Sequence, residues 1–157
     1  MKLHRLYGEN RTLTACETGE NPLWHAIEQK LYWCDIPNGR IFRFDPATGL
    51  HEQCYEGRPV GGFTVQYDGS LLLFMDRGTI ARWHDGELTE IVESIPAELE
   101  SRFNDVIADP KGRVYCGTTV NRVLKLSDGS YAVHMIKIRW PHHVFVSKNF
   151  EVTGAVG

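Results

Sequence analysis

Five consecutive residues, Ser101-Arg102-Phe103-Asn104-Asp105, set a hydroxyl, a cation, an aromatic ring, an amide and a carboxylate side by side. Such a run makes poor core and good ligand chemistry. The Asn104 carbonyl oxygen suits a hard cation, and the Arg102 guanidinium offers a planar fork to oxyanions. A plainer account makes the run a polar loop entering a β-hairpin, where Asn and Asp serve turn geometry. A second polar group stands far upstream. Glu20 lies between Gly19 and Asn21-Pro22, just before Leu23-Trp24. A solitary loop glutamate is most often only solvated; the functional alternative is a carboxylate ligand at the start of a strand unit, pointing into a central channel.

These side chains need elements to position them, and the chain supplies a repeat. Apolar strand-like runs begin at Leu31, Leu71 and Val114, 40 and 43 residues apart. Each is followed by a Gly-containing turn and a second short run, Ile41-Phe42-Arg43-Phe44, Ile80-Ala81-Arg82-Trp83 and Val123-Leu124-Lys125-Leu126. Asp-Gly pairs at 68–69, 85–86 and 128–129 are hairpin signals. A period near 40 with several short strands per unit predicts propeller blades. A β-sandwich also uses short strands, but it needs no regular sequence period. The expected fold class is all-β, a partial β-propeller of about three to four blades. It forms a single incomplete domain over 1–157, with blade-like repeats near 22–58, 59–100 and 101–137 and an atypical tail over 138–157. One turn of helix is expected at Ile95-Pro96-Ala97-Glu98-Leu99-Glu100, where Pro96 suits a first helical position.

Composition narrows the function. Among 157 residues, 42% are hydrophobic and 24% charged, which supports a packed core in one ordinary domain or a piece of a larger one. The net charge of −3 gives no basic footprint for nucleic acid. No apolar run is long enough to span a membrane, and Met1-Lys2-Leu3-His4-Arg5-Leu6-Tyr7 lacks the apolar stretch of a secretory signal. The expectation is a cytoplasmic protein with neither nucleic-acid nor membrane partners. Cys16, Cys34, Cys54 and Cys116 form no Cys-x-x-Cys pair, which argues against a zinc ribbon or a thioredoxin-like motif. Cys34 and Cys116 fall inside apolar runs and are expected to be buried and reduced.

Four motifs in order carry a family resemblance: Gly19-Glu20-Asn21-Pro22-Leu23-Trp24, Leu31 to Ile41, Phe44-Asp45-Pro46-Ala47-Thr48-Gly49, and Arg102-Phe103-Asn104-Asp105. Together they resemble the gluconolactonase, regucalcin (senescence marker protein) and luciferin-regenerating enzyme family. Pro59-Val60-Gly61-Gly62-Phe63-Thr64 with Asp68 to Phe74 resembles its bacterial sugar-lactonase members. The resemblance implies a six-bladed propeller with one divalent cation in its channel, of which this chain would hold the N-terminal half. It places Glu20 and Asn104 on the metal and Arg102 on a substrate oxygen. Asp105 would be a turn carboxylate rather than a ligand, and Trp24 and Phe103 would be packing. Oxygen donors favour Ca²⁺, with Zn²⁺, Mn²⁺ and Mg²⁺ as alternatives.

The implied activity is metal-dependent hydrolysis that opens a sugar (aldono-)lactone. No residue of this chain is assigned as catalytic base. Two ligands of the family pattern, a later Asn in an Asn-Gly motif and a later Asp, have no matching motif here. Pro141-His142-His143 falls about where the Asn-Gly motif belongs, so His142 either replaces that ligand or is a surface histidine. The chain is therefore expected to be truncated. The alternative to an enzyme is a non-catalytic calcium-binding or interaction fragment of a propeller, with self-association through open strand edges.

Overall fold

A computed structural model describes residues 16–119 with their side chains, and the backbone of four later strands. The architecture is all-β. Strands β1 (Gly19–His25), β2 (Lys30–Asp35), β3 (Arg40–Asp45) and β4 (Leu50–Glu56) pair in sequence order as the first sheet. Strands β5 (Val60–Val65), β6 (Leu71–Met75), β7 (Ile80–His84) and β8 (Glu87–Val92) form the second in the same way. A 3-10 turn at Pro96–Glu98, with the proline in its first turn as expected, leads into the third sheet. There β9 (Arg102–Ala108) pairs with β10 (Arg113–Thr119). Beyond β10 the chain makes β11 (Arg122–Lys125) and β12 (Tyr131–His134), then β13 (Arg139–Val146) and β14 (Val152–Val156).

The pairing of these last strands differs from the repeat pattern read in the sequence. Strands β11 and β12 pair with each other as a separate hairpin, and the third sheet is completed in the order β14-β13-β10-β9. Pro141 argues against a strand at 139–146, because it cannot donate to the ladder. The β10–β13 register shifts between Cys116 and Thr118, opposite the stretch that holds Pro141. The proline thus sits at an irregularity, where a ladder tolerates it, and Val144-Phe145-Val146 continues the strand.

Turn chemistry sets the hairpins. Asp85 and Gly86 join β7 to β8 with φ of 49° and 86°, the left-handed pair that matches strand twist in a two-residue loop. After β3, the Asp45 carboxylate accepts the Ala47 N–H at 2.8 Å, and Gly49, at φ 67°, donates its N–H to the Asp45 carbonyl at 2.7 Å. That is an Asx turn closed by a glycine.

The middle sheet explains the uninterrupted run Leu71-Leu72-Leu73-Phe74-Met75, every residue of which is buried. Side chains alternate across a strand, so Leu71, Leu73 and Met75 join a core cluster with Tyr32, Cys34 and Ile41 of the first sheet. Leu72 and Phe74 join a second cluster with Phe103, Val114 and Cys116 of the third. A strand buried on both faces loses the polar–apolar alternation of a half-exposed one. The three sheets therefore stack face to face in chain order.

Two buried polar groups brace the first sheet. His25, with no exposed surface, lies 2.8 Å by Nε2 from the Gly69 carbonyl, and its Nδ1 accepts the Glu28 N–H at 3.1 Å. That assigns the proton to Nε2 and ties the first sheet to the β5–β6 loop. Asp35, also fully buried, accepts the N–H groups of Glu17 and Thr18, each at 3.0 Å, the Asn38 amide at 2.9 Å and the Arg40 guanidinium. Burial alone would raise the Asp35 pKa; the Thr18 N–H, Arg40 and Asn38 outweigh it and hold the carboxyl below its ordinary 3.8. A depressed carboxyl stabilises the fold above its unfolded pKa, and that stability is lost as pH falls through the lower folded value. Urea unfolding followed from neutral into acid pH should show stability falling below about pH 4. Asp35→Asn should lower stability by about 1–3 kcal/mol at neutral pH and flatten that acid limb. An acid limb of unchanged slope in the variant would remove Asp35 from the account.

Candidate metal and lactone site

Glu20 and Asn104 lie far apart in sequence but hold one register position. Glu20 is opposite Cys34 on β2, and Asn104 is opposite Gly117 on β10. Cys34 and Gly117 are each three residues beyond the repeat starts Leu31 and Val114. The register then slips by one residue in both sheets, within Asn21-Pro22 in β1 and at Asp105 in β9. Asn21 and Asp105 have φ of 55° and 59°, the left-handed conformation that Asn and Asp tolerate best among side-chain-bearing residues. Both candidate donors therefore precede a β-bulge, a device that re-aims side chains next to functional sites.

The middle sheet places a glycine at the equivalent position: Gly62 lies opposite Phe74, three residues beyond Leu71. Strand β5 packs between β1 and β9. A Cβ on Gly62 would come within 2.6 Å of Val106 and 3.1 Å of the Asn21 side-chain oxygen, and one on Gly61 within 1.7 Å of the Phe103 carbonyl oxygen. The Gly61-Gly62 pair is what lets three first strands converge. Asn21 closes the junction by donating its amide N–H to the Phe63 carbonyl at 3.1 Å.

Arg102 is half-buried at the start of β9. Its guanidinium donates to the Phe103 carbonyl and to Asn104 Oδ1, each at 3.0 Å. Burial pushes its pKa down from the ordinary arginine value, and the Cys34 and Glu20 side chains act against that shift. Burial also pushes the Cys34 thiol up to about 12, so at neutral pH it is uncharged. Of the three candidates, Arg102 and Asn104 are in direct contact through the Asn104 Oδ1 bond. Glu20 itself is exposed. Asp105 is exposed, with Oδ2 3.5 Å from the Asn104 amide nitrogen, a turn carboxylate at the bulge.

Arg102 is anchored from the second sheet as well. Asp76 forms an isolated antiparallel bridge with it, and the Arg77 N–H donates to the Ser101 carbonyl at 2.8 Å. The Arg58 guanidinium grips that β6–β7 turn, reaching Asp76 Oδ1 and Thr79 Oγ1 at 2.9 Å each. Neither Arg58 nor Asn21 is singled out by sequence motif, although Asn before Pro right after Glu20 is a turn signal.

Phe103 is packing: it is fully buried, edge-on to Phe74 at 5.2 Å. Trp24 is not. It is 46% exposed and pairs with Leu31, while Tyr32 and Cys34 take the face toward the second sheet. The His142 side chain lies outside the described residues; its backbone pairs with Cys116 on β13, which β10 separates from β9. Cys34, Cys54 and Cys116 are each pushed up to about 12 by burial, which makes them poor nucleophiles. None of the four cysteines forms a disulfide.

As a cation site, the described residues supply one carboxylate and one amide oxygen. A hard cation takes oxygen donors and fills remaining positions with water, and both side chains are of that donor type. No cluster of three or more His, Cys, Asp or Glu capable of holding a metal occurs among the described residues, and none of their helices is long and apolar enough to cross a membrane.

Residues 18–144 match the family described as SMP-30/Gluconolactonase/LRE-like region, and the chain belongs to that family. Pentonolactonase XacC of Haloferax volcanii is 51% identical over 105 residues, which are 67% of this chain and 35% of that protein. The 6-deoxy-6-sulfogluconolactonase of Pseudomonas putida is 37% identical over 101 residues, 64% of this chain and 35% of that protein. The matched segment thus spans about a third of these relatives. A solved gluconolactonase from Xanthomonas campestris superposes with a TM-score of 0.55 at 21% identity, over 80% of this chain and 42% of that one. The fold is that of a propeller-type lactonase, represented here by part of the ring's sheets.

Proposed function

We propose that this chain carries the first part of a metal-dependent hydrolase that opens a sugar lactone, an aldonolactone in the first instance. The observation that carries the reading is the shared register of Glu20 and Asn104, each ahead of a bulge, with Arg102 bonded to Asn104. Relatives whose names state lactone substrates support the same chemistry.

Glu20 would hold the cation through its carboxylate and Asn104 through its carbonyl oxygen. Asn104 Oδ1 has a second lone pair beside the one facing Arg102. A cation held there supplies Lewis acidity toward the lactone carbonyl and an activated water. Arg102, held by Asn104 and by the Asp76 bridge, would bind a sugar hydroxyl or stabilise oxyanion charge as the ring opens. Ca²⁺ is the first choice for oxygen donors, with Zn²⁺, Mn²⁺ and Mg²⁺ as alternatives.

A second reading is a calcium-binding or interaction fragment without turnover. The two-donor set favours it, because loss of a base or a ligand costs orders of magnitude in rate. Hydrolysis of glucono- and pentonolactones, above the spontaneous rate, with each metal or EDTA separates the two. The expected result is metal-dependent turnover that falls by about 10–100-fold or more in Asn104→Ala and Glu20→Gln. Ca²⁺ binding without turnover would favour the fragment. Absence of both in folded protein would overturn the site.

A further inference from the structure

The register of β9 on β10 decides which side chains meet beside Arg102. Thr119 lies directly opposite Arg102, Thr118 opposite Phe103 and Gly117 opposite Asn104. Directly opposed residues share a face of the sheet, and successive residues alternate between faces. Phe103 and Thr118 are buried, Phe103 in the cluster shared with the second sheet. Arg102, Asn104, Gly117 and Thr119 therefore share the other face. Gly117 has no side chain, so β10 raises nothing between Asn104 and Thr119.

Two unmet hydrogen-bonding needs face each other there. Thr119 is buried, and its Oγ1 has no hydrogen-bond partner among the described residues. Such a hydroxyl has given up water without replacement. Arg102 bonds only through Nη1, to the Phe103 carbonyl and to Asn104 Oδ1, which leaves its Nε–H and both Nη2–H without a partner among the described residues. A guanidinium has donors and no acceptor, whereas a threonine oxygen accepts. The Thr119 oxygen is already enclosed, so its partner must come from groups beside it rather than from solvent. Opposed Cβ atoms lie about 4.5–5.5 Å apart, a span that an arginine side chain covers.

We propose that Thr119 is a positioning residue for Arg102: its hydroxyl is a second seat for the guanidinium, which releases Asn104 Oδ1 when it moves there. The second seat stands on the register and on the unmatched hydroxyl. Its consequence rests on the proposed cation chemistry. A guanidinium and a cation at one amide oxygen repel each other. Transfer of the guanidinium to Thr119 relieves that repulsion, opens both Asn104 lone pairs and keeps Arg102 on the face where a substrate oxygen would bind.

The test is a double-mutant cycle in metal-free buffer, read by urea unfolding and by the NMR resonance of the Arg102 Nε–H. Thr119→Val keeps the side-chain shape and removes the hydroxyl; Thr119→Ser keeps the hydroxyl. Alone, Thr119→Val should leave the unfolding midpoint unchanged or raise it, because Arg102 bonds Asn104 instead. In the Asn104→Ala background Arg102 has lost that acceptor. There Thr119→Val should lower the folding equilibrium constant by about tenfold, equivalent to about 1.4 kcal/mol, and Thr119→Ser should not. The Arg102 resonance should move in Asn104→Ala and move again only when the hydroxyl is removed. Asn104→Leu, closer in volume and equally without an acceptor, repeats the cycle should the alanine variant not fold. Additive costs, or an Arg102 resonance indifferent to the hydroxyl in both backgrounds, would overturn the proposal. Ca²⁺ titration then tests the consequence: Thr119→Val should raise the Kd about tenfold, and Thr119→Ser should restore it. Coupling in the cycle without Ca²⁺ binding in any variant would retain the second seat and overturn the cation reading. Ca²⁺ binding indifferent to Thr119→Val would overturn the release of Asn104.

Discussion

Phe103→Ala is expected to remove about 3–5 kcal/mol of folding stability. The ring is fully buried between the second and third sheets, edge-on to Phe74 and in a cluster with Leu72, Ile80, Val114 and Cys116. Truncation there forfeits the transfer energy of the ring and leaves a cavity that paired strands close only in part. Against a typical total of about 5–15 kcal/mol the loss is large. The urea midpoint should fall sharply with an unchanged slope, whereas Phe103→Leu, closer in volume, should cost less than about 1.5 kcal/mol. The effect extends to function, because Phe103 sits between Arg102 and Asn104 and its carbonyl accepts one of the Arg102 N–H groups. Any metal or lactone affinity of the alanine variant should fall with its stability. An unmoved midpoint would mean that the ring is not in the core.

Phe103 also shows what could be read from the chain and what could not. Its burial is implied only by the family resemblance, whereas the all-β repeat follows from three apolar runs at near-even spacing. Asp85-Gly86 and Pro96 act where local turn chemistry places them, because those preferences need no distant partner. Glu20, Arg102 and Asn104 stand out by residue type and motif, but the register that Glu20 and Asn104 share depends on strand pairing that neither motif reveals. The bulges at Asn21 and Asp105 arise when one strand carries an extra residue relative to its partner, and neither strand alone reveals that. The family resemblance implies packing for Trp24, yet alternation puts it on the outward face of the first sheet. Pro141 reads as a break until β10 is seen to shift register opposite it. In each case the decisive term is tertiary pairing acting on a locally ambiguous residue.

Gly61 is the sharpest case: among the described glycines its added Cβ meets the closest backbone atom. Gly61-Gly62 on its own looks like a flexible turn. In the fold Gly61 is buried in β5, and a Cβ there would lie 1.7 Å from the Phe103 carbonyl oxygen and 2.3 Å from its carbonyl carbon. Both are backbone atoms, so no side chain can rotate aside; β5 and β9 must separate. Overpacking a core by one group costs about 1–3 kcal/mol where neighbours can adjust, and Gly61→Ala should reach or exceed the top of that range. Gly112→Ala is the control. Gly112 has a φ of 80°, and a Cβ there meets nothing within 4 Å, so alanine should cost only backbone strain, about 1 kcal/mol. The two variants separate the price of conformation from that of contact. Because β9 carries Arg102 and Asn104, Gly61→Ala should also weaken the proposed metal binding by the folded fraction, whereas Gly112→Ala should leave it intact. Comparable urea midpoints for the two would show that β5 and β9 do not approach as closely as the glycine requires.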